Sequence, residues 1–273
     1  MDVAAQTELE IVTVKLTRRF GDLAAVAEVS ITVERGEIFG LIGSNGAGKS
    51  TLVKMLTTLL PPSSGQASVA GYDIVREAST VRRHIGYVPQ LLSADGSLTG
   101  YENMLLSARL YAVPGRERKI RIAEALHALG LADAADRLVQ HYSGGMIRRL
   151  EIAQSMLHRP SIMFMDEPTV GLDPLARDQV WGHVRALRKD FGMTILLTTH
   201  YLDEADSLCD RIAVMSRGRV VACDTPDALK ASVGPEATLD EAFIKITGSD
   251  LGTTSEGDFS ETRRERRSEV RLG

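Results

Sequence analysis

The sequence predicts an α/β fold, and three observations carry that prediction. A glycine-rich loop, "GSNGAGKST" from Gly43 to Thr51, stands between a strand-like apolar run and a helix-like run. Two further runs, "SIMFMDEP" and "MTILLTTH", have the unbroken hydrophobicity of strands buried on both faces of a parallel sheet. Between them and the loop, apolar residues recur at three and four spacing, which is the period of amphipathic helices.

In chain order, "LEIVTVKLT" and "AVAEVSITVERGEIFGLIG" are rich in β-branched residues and are separated by an "FGD" turn. They predict an opening β-region that leads into a strand over Ile38 to Ile42. The helix after the loop, "STLVKMLTTLL", is expected to run to Pro61-Pro62, which cannot continue it. "GQASVAGYDI" and "HIGYVPQ" read as further strands. From Leu91 to Val139 the pattern is helical, with Gly130 as a C-terminal stop. After Ser143-Gly144-Gly145, the residues Met146, Leu150, Ala153 and Leu157 share one helical face. "RIAVMSRGRVVACD" predicts a hairpin turning at Arg217-Gly218. No internal repeat is present. Ser249 to Gly273 has few large apolar residues and ends in "RRERRSEVRLG", so a disordered tail is expected. Its interspersed glutamates favour solvation over attraction to anionic lipid.

A chain of 273 residues can bury one large core or two modest ones. Its net charge of −4 argues against a nucleic-acid binder, which needs a basic footprint. No apolar run approaches the roughly 18 to 20 residues of a membrane helix, and "MDVAAQTELE" lacks the pattern of a signal peptide. Cys209 and Cys223 are the only cysteines, too few for a four-cysteine zinc site. A cytosolic chain with reduced thiols is expected.

The loop fits G-x-x-x-x-G-K-[ST] at Gly43, Gly48, Lys49 and Ser50, with Ser44, Asn45, Gly46 and Ala47 between and Thr51 following. Its glycines let backbone N–H groups turn inward on phosphate oxygens, and the next helix aims its positive end at them. Lys49 suits the β- and γ-phosphates and the Ser50 hydroxyl suits Mg²⁺. The chain is therefore predicted to bind a nucleoside triphosphate. Asp166 and Glu167 close a buried strand. Alternation along the strand would let Asp166 face the Mg²⁺ shell and Glu167 face the attacking water. A general base or water-orienting group there is worth about 10²–10⁴ in rate. Gln90 and His200 end strands at the same predicted sheet edge. Each is either a satisfied polar residue or a ligand-facing one, Gln90 joining Mg²⁺ to the water and His200 donating to the γ-phosphate. Phe20 either stacks on a base or packs in the core. In "HYSGGMIRRLEIAQ", Ser143 can cap the following helix or face an anion, because the two roles share one geometry.

Taken together these residues resemble the ATPase subunit of ATP-binding cassette (ABC) transporters, from about Leu9 to Gly248. Gly43–Thr51 matches the Walker A loop, Gln90 the Q-loop glutamine and Tyr142–Met146 the signature. Asp166 and Glu167 match Walker B, "GLD" at Gly171–Asp173 the D-loop, and His200 the switch histidine. The resemblance implies a P-loop NTPase (RecA-like) core carrying an N-terminal antiparallel β-subdomain and a helical subdomain, inserted at about 91–158, within one domain over 1–248. It implies ATP and Mg²⁺, with Ser50, Gln90 and Asp166 at the metal, and Glu167, His200 and Gln90 as catalytic residues. It implies that Phe20 stacks on adenine, where Tyr is commoner. Ser143, Gly144 and Gly145 would close over the γ-phosphate of a second ATPase subunit, making a homodimer, and Asp173 would couple the two sites. Leu91 to about Leu110 would dock on a separate transmembrane permease at the cytoplasmic face of the cell membrane.

Tyr142 and Met146 depart from the family's usual Leu and Gln, Ile147 from a basic residue, and Ser44 from Pro. None removes a phosphate ligand or the carboxylate, so hydrolysis is expected. "TGYENMLLSARLYAVPG" and "TLDEAFIKITG" look most like export-type subunits of the daunorubicin-resistance kind. Importer subunits of the sugar type usually carry a long C-terminal regulatory domain. Cassette ATPases acting on DNA usually carry a long coiled coil between Walker A and the signature, and ribosome-acting ones usually fuse two cassettes. A P-loop kinase or GTPase would leave Ser-Gly-Gly, Asp173 and His200 unexplained.

Overall fold

The computed structural model describes residues 8–248, and the charged tail expected from Ser249 lies outside the described residues. The chain opens with β1 (Leu9–Phe20), β2 (Leu23–Val29) and β3 (Thr32–Glu34), then β4 (Ile38–Ile42) and α1 (Lys49–Leu56). There follow β5 (Ser64–Val69), β6 (Tyr72–Asp73), α2 (Ala78–His84) and β7 (Ile85–Val88). The helices α3 (Gly100–Leu110), α4 (Gly115–Ala128) and α5 (Gly144–Met156) come next. Strand and helix then alternate through β8 (Ile162–Asp166), α6 (Pro174–Phe191), β9 (Thr194–Thr199) and α7 (Leu202–Leu208). The hairpin β10 (Arg211–Ser216) and β11 (Arg219–Asp224), with α8 (Pro226–Ala231) and α9 (Leu239–Thr247), completes the described chain.

One sheet is antiparallel in the order β2-β1-β5-β6, with β3 also pairing β1. The second has the order β11-β10-β4-β9-β8-β7 and is parallel except for the β10–β11 hairpin. β4, β8 and β9 are buried along their whole length, as unbroken apolar runs require when helices or another sheet cover both faces. Alternation then divides their side chains between two cores. Ile38, Ile42, Met163, Met165, Ile195 and Leu197 face the helices of the α3–α7 side. Phe39, Leu41, Ile162, Phe164 and Leu196 face α1 and the antiparallel sheet. Each such side chain, fully removed from water, contributes about 1.5–3 kcal/mol.

Register sets the functional edge. Ile42 lies opposite Thr199, and Asp166 opposite Thr198, so the carboxyl ends of β4, β8 and β9 are aligned. The residues that follow these strands share the edge where α/β sheets bind ligands.

Two expectations need adjustment, and one helix lay outside them. The helix after the glycine-rich loop stops at Leu56, well before Pro61. Thr57 turns its hydroxyl onto the Val53 carbonyl, and Thr58 takes a left-handed φ of 64° that breaks the helical path. β7 stops at Val88 because Pro89 has no N–H to extend the ladder, so Gln90 lies beyond the strand rather than at its end. The long α6 was not read from the sequence, although Asp173 caps it, Pro174 opens it, and Val180, Val184 and Leu187 form its buried stripe.

Candidate nucleotide site

The glycine-rich loop joins β4 to α1 and is braced from outside. Gly218, in the turn of the β10–β11 hairpin, donates to the Ala47 carbonyl at 3.0 Å, and its own carbonyl accepts from Ala27 N–H at 2.8 Å. Gly48 sits at φ 105°, and a Cβ there would fall 2.3 Å from the Ala25 carbonyl oxygen. Only glycine fits that position on both counts.

A cleft of about 400 Å³ opens above this loop. Asn45, Gly46, Ala47, Gly48, Lys49, Ser50 and Thr51 line one side, and Gln90, Glu167, Val170 and His200 line the other. Lys49 Nζ donates to the carbonyls of Gly43 at 2.7 Å and Ser44 at 3.3 Å, and lies 3.4 Å from Glu167 Oε1. Burial lowers the Lys49 pKa, and the charges of Glu167 and Asp166 offset part of that. Burial likewise opposes the charge on Glu167, but the neighbouring His200 and Lys49 outweigh it and leave its pKa below the usual range. Glu167 is therefore ionised at neutral pH.

Asp166 and Glu167 face different partners, though not through strand pleating. β8 ends at Asp166, and Glu167 takes a left-handed φ of 48°. Thr198 holds this turn by accepting the Glu167 N–H at its hydroxyl (2.9 Å) and its carbonyl (3.1 Å). Such a conformation costs of order 1–3 kcal/mol and persists only where its surroundings hold it. Asp166 Oδ1 accepts from the hydroxyls of Ser50 at 3.0 Å and Thr198 at 2.6 Å. Glu167 Oε2 accepts from Gln90 Nε2 at 3.1 Å, and Oε1 lies 3.4 Å from His200 Nδ1. The structure thus brings Lys49, Ser50, Gln90, Asp166, Glu167 and His200 together. Below the carboxylates, burial and the charge of Asp166 push the Tyr87 hydroxyl up to about 12.

Other predicted residues lie apart from the cleft. Phe20 ends β1 half-exposed, with the Arg18 guanidinium 4.8 Å from its ring centre, so it is not a core residue. Ser143 caps α5 by accepting from Met146 N–H at 3.3 Å, and both Ser143 and Gly144 are exposed. Gly145 is buried against α6, where a Cβ would come within 2.9 Å of the Ala176 Cβ. Asp173 caps α6 beside it, exposed, accepting from Ala176 N–H at 2.9 Å. Signature and D-loop residues therefore form one surface away from the cleft of their own chain. Tyr142 fills the position usually held by Leu with a ring that donates its hydroxyl to the Ala134 carbonyl at 2.7 Å.

Several residues tied to this site escaped the sequence reading. Thr198 is one, and the buried pair Arg148–Glu151 is another. Glu204 is a third: fully buried, it accepts from Thr169 Oγ1 and Trp181 Nε1, each at 3.0 Å.

Known proteins give the arrangement its context. A family model described as ABC transporter matches residues 26–170, from β2 to just past Glu167. The chain is 49% identical over 219 residues to the daunorubicin/doxorubicin resistance ATP-binding protein DrrA of Streptomyces peucetius, an alignment that covers 80% of this chain and 66% of that protein's length. A solved ATP-binding subunit of an ABC transporter superposes with a TM-score of 0.76 at 32% identity, covering 86% of this chain and 98% of the other. A dimeric ATP-binding cassette in a post-hydrolysis state, bound to ADP and Pi, superposes at 0.70 with 26% identity, covering 79% and 98%. By sequence, fold and the ordered motifs at its sheet edge, this chain belongs to the ABC transporter family.

Proposed function

We propose that the chain is the ATP-hydrolysing subunit of an exporter, working as a pair of copies that close around two ATP. The observation that carries this reading is the convergence of Lys49, Gln90 and His200 on the Glu167 carboxylate at the mouth of the glycine-rich loop. The loop N–H groups and the positive end of α1 would bind the phosphates, with Lys49 neutralising their β- and γ-oxygens. Glu167, ionised and turned into the cleft, accepts a hydrogen bond from the attacking water, which Gln90 helps to align and His200 flanks on the γ-phosphate side. The hydroxyl of Ser50 and the carboxylate of Asp166 are hard oxygen donors 3.0 Å apart, with Gln90 in the same cleft. That set fits Mg²⁺, which takes one or two carboxylates, water and substrate phosphate oxygens rather than a full protein cage. When bound, Mg²⁺ neutralises phosphate charge in the transferring group.

Ser143, Gly144 and Gly145 share a surface with Asp173 outside the cleft of their own chain, which suits residues that complete a site on a second copy. The exposed Phe20 is free to stack on the adenine. Residues 91–158 would form a helical subdomain inserted in the 1–248 cassette and turned toward the permease. Transport itself would fall to a separate transmembrane permease, which would hold this chain at the cytoplasmic face of the membrane; among the described residues no helix is long and apolar enough to cross a membrane. Similarity to a drug-resistance protein favours export over import.

The test is ATP hydrolysis by the purified chain. Lys49→Ala should reduce turnover to background, and near-normal turnover in that variant would contradict the assignment of the loop. Vesicles carrying the co-purified permease should take up cargo in an ATP-dependent, Lys49-dependent manner.

A further inference from the structure

Arg148 and Glu151 lie within the first turns of α5 beyond Ser143, and their side chains are 2% and 3% exposed. Buried ion pairs give little net stability, because desolvation offsets attraction, so one that is present invites a positional explanation. Arg148 Nη1 donates to the Pro89 carbonyl at 2.6 Å and Nη2 to the Gln90 carbonyl at 2.8 Å. Nη1 also meets Glu151 Oε2 at 3.0 Å. The other Glu151 oxygen accepts both the backbone N–H of Ser93 and its hydroxyl. One pair on α5 therefore grips the segment 89–93 at both ends. Its middle, Leu91 and Leu92, is left facing outward, with Leu91 82% exposed.

The grip continues into the cleft. The Gln90 whose carbonyl Arg148 holds is the Gln90 whose amide donates to Glu167 at 3.1 Å. Glu151, Arg148, Gln90 and Glu167 form one unbroken chain of contacts from α5 to the carboxylate. A guanidinium suits this task because its rigid planar fork holds the two carbonyls from separate nitrogens in one fixed geometry, whereas an ammonium is a single pivoting donor centre.

We propose that Arg148, braced by Glu151, is a positioning residue that sets the reach of Gln90 toward Glu167 and makes the segment 89–93 move as one piece with α5 and Ser143. A displacement imposed on Leu91 and Leu92 then shifts Gln90 in its own site and Ser143 at the start of α5 together. This inference rests on the ATPase reading above.

A kinetic double-mutant cycle on the full chain tests it, comparing wild type, Arg148→Met, Gln90→Ala and the double variant. Arg148→Met is expected to lower kcat by about tenfold, as a small misplacement of an aligning group does, while the Kd for a fluorescent ATP analogue changes less than about twofold. In the Gln90→Ala background the same substitution should cost less than about twofold more, since residues acting through one another are not additive. Glu151→Gln should reproduce a weaker form of the same pattern. Fold losses that multiply, or a loss of nucleotide affinity matching the loss of kcat, would overturn the proposal. If Arg148→Met does not fold, Arg148→Lys carries the same cycle, because it keeps the charge but not the two-carbonyl fork. Failure of the underlying reading looks different: the wild-type chain itself would show no hydrolysis that depends on Lys49.

Discussion

Lys49 is 4% exposed, yet on the proposed reading it carries the charge that ATP must find. Burial pulls its pKa below that of a free lysine, so it loses its proton earlier as pH rises. ATP affinity of the wild type should weaken on the alkaline side before pH reaches the 10.5 of an ordinary lysine. Lys49→Arg should flatten that limb, since a guanidinium stays charged; titrations of a fluorescent ATP analogue against pH compare the two directly. Phe20 makes a second prediction at this scale. Its exposed ring offers stacking but no chemistry, so Phe20→Ala should raise KM for ATP by about fivefold or more, from the roughly 1–3 kcal/mol that base stacking is worth, while leaving kcat unchanged. Equal KM values in the two proteins would remove Phe20 from the site. The motif residues were legible because one loop fixes Gly43 to Ser50, and one strand end fixes Asp166 and Glu167. Thr198 and Arg148 were not legible, because their partners Asp166 and Pro89 lie 32 and 59 residues away in sequence. No local pattern marks a contact that only register and helix packing create.

At the scale of elements, α6 and α7 are joined around Glu204. Arg177 on α6 pairs with Asp203 and stacks on Tyr201, while Trp181, one turn further, donates to Glu204 together with Thr169. The loop bearing Glu167 to Asp173 and the helix after His200 are thereby held as one block. Burial raises the pKa of Glu204, so the folded state prefers its protonated form. A carboxyl with a raised folded-state pKa contributes stability that is fully present below its unfolded pKa and is lost as pH rises through the folded one. Glu204→Gln keeps an oxygen acceptor without that titration. The melting temperature of the wild type relative to Glu204→Gln should therefore fall as pH rises above 4.5, the ordinary value for a glutamate, and a difference constant with pH would exclude the effect. The same region shows what sequence reading reaches among elements. The strands were legible from their apolar runs and the hairpin from its Arg217-Gly218 turn. α6 escaped because its N-terminal cap coincides with the "GLD" motif and its apolar stripe is diluted by charged residues. The end of α1 was misplaced because a threonine hydroxyl and a left-handed residue stopped it before the prolines could.

At the scale of the whole molecule, two cores on opposite faces of one sheet hold the cleft between the antiparallel sheet and the helices. The site is built at the sheet edge where register aligns three strand ends, and it faces outward. The signature stretch, Ser143 to Gly145, lies against α6 and Asp173 instead of over Lys49 of its own chain. On the proposed reading, the cradle of one copy would be covered by the signature stretch of another, and two copies related by a twofold axis would satisfy both. Hydrolysis would then open what ATP binding closes. Glu167→Gln should stop the cycle in the closed form, since the amide keeps the contact with Gln90 but cannot take a proton. Light scattering on Glu167→Gln after gel filtration at saturating ATP and Mg²⁺ tests this most directly. The account predicts the mass of two chains, reverting to one without ATP or when Ser143→Arg is added; a single-chain mass at saturating ATP would contradict it.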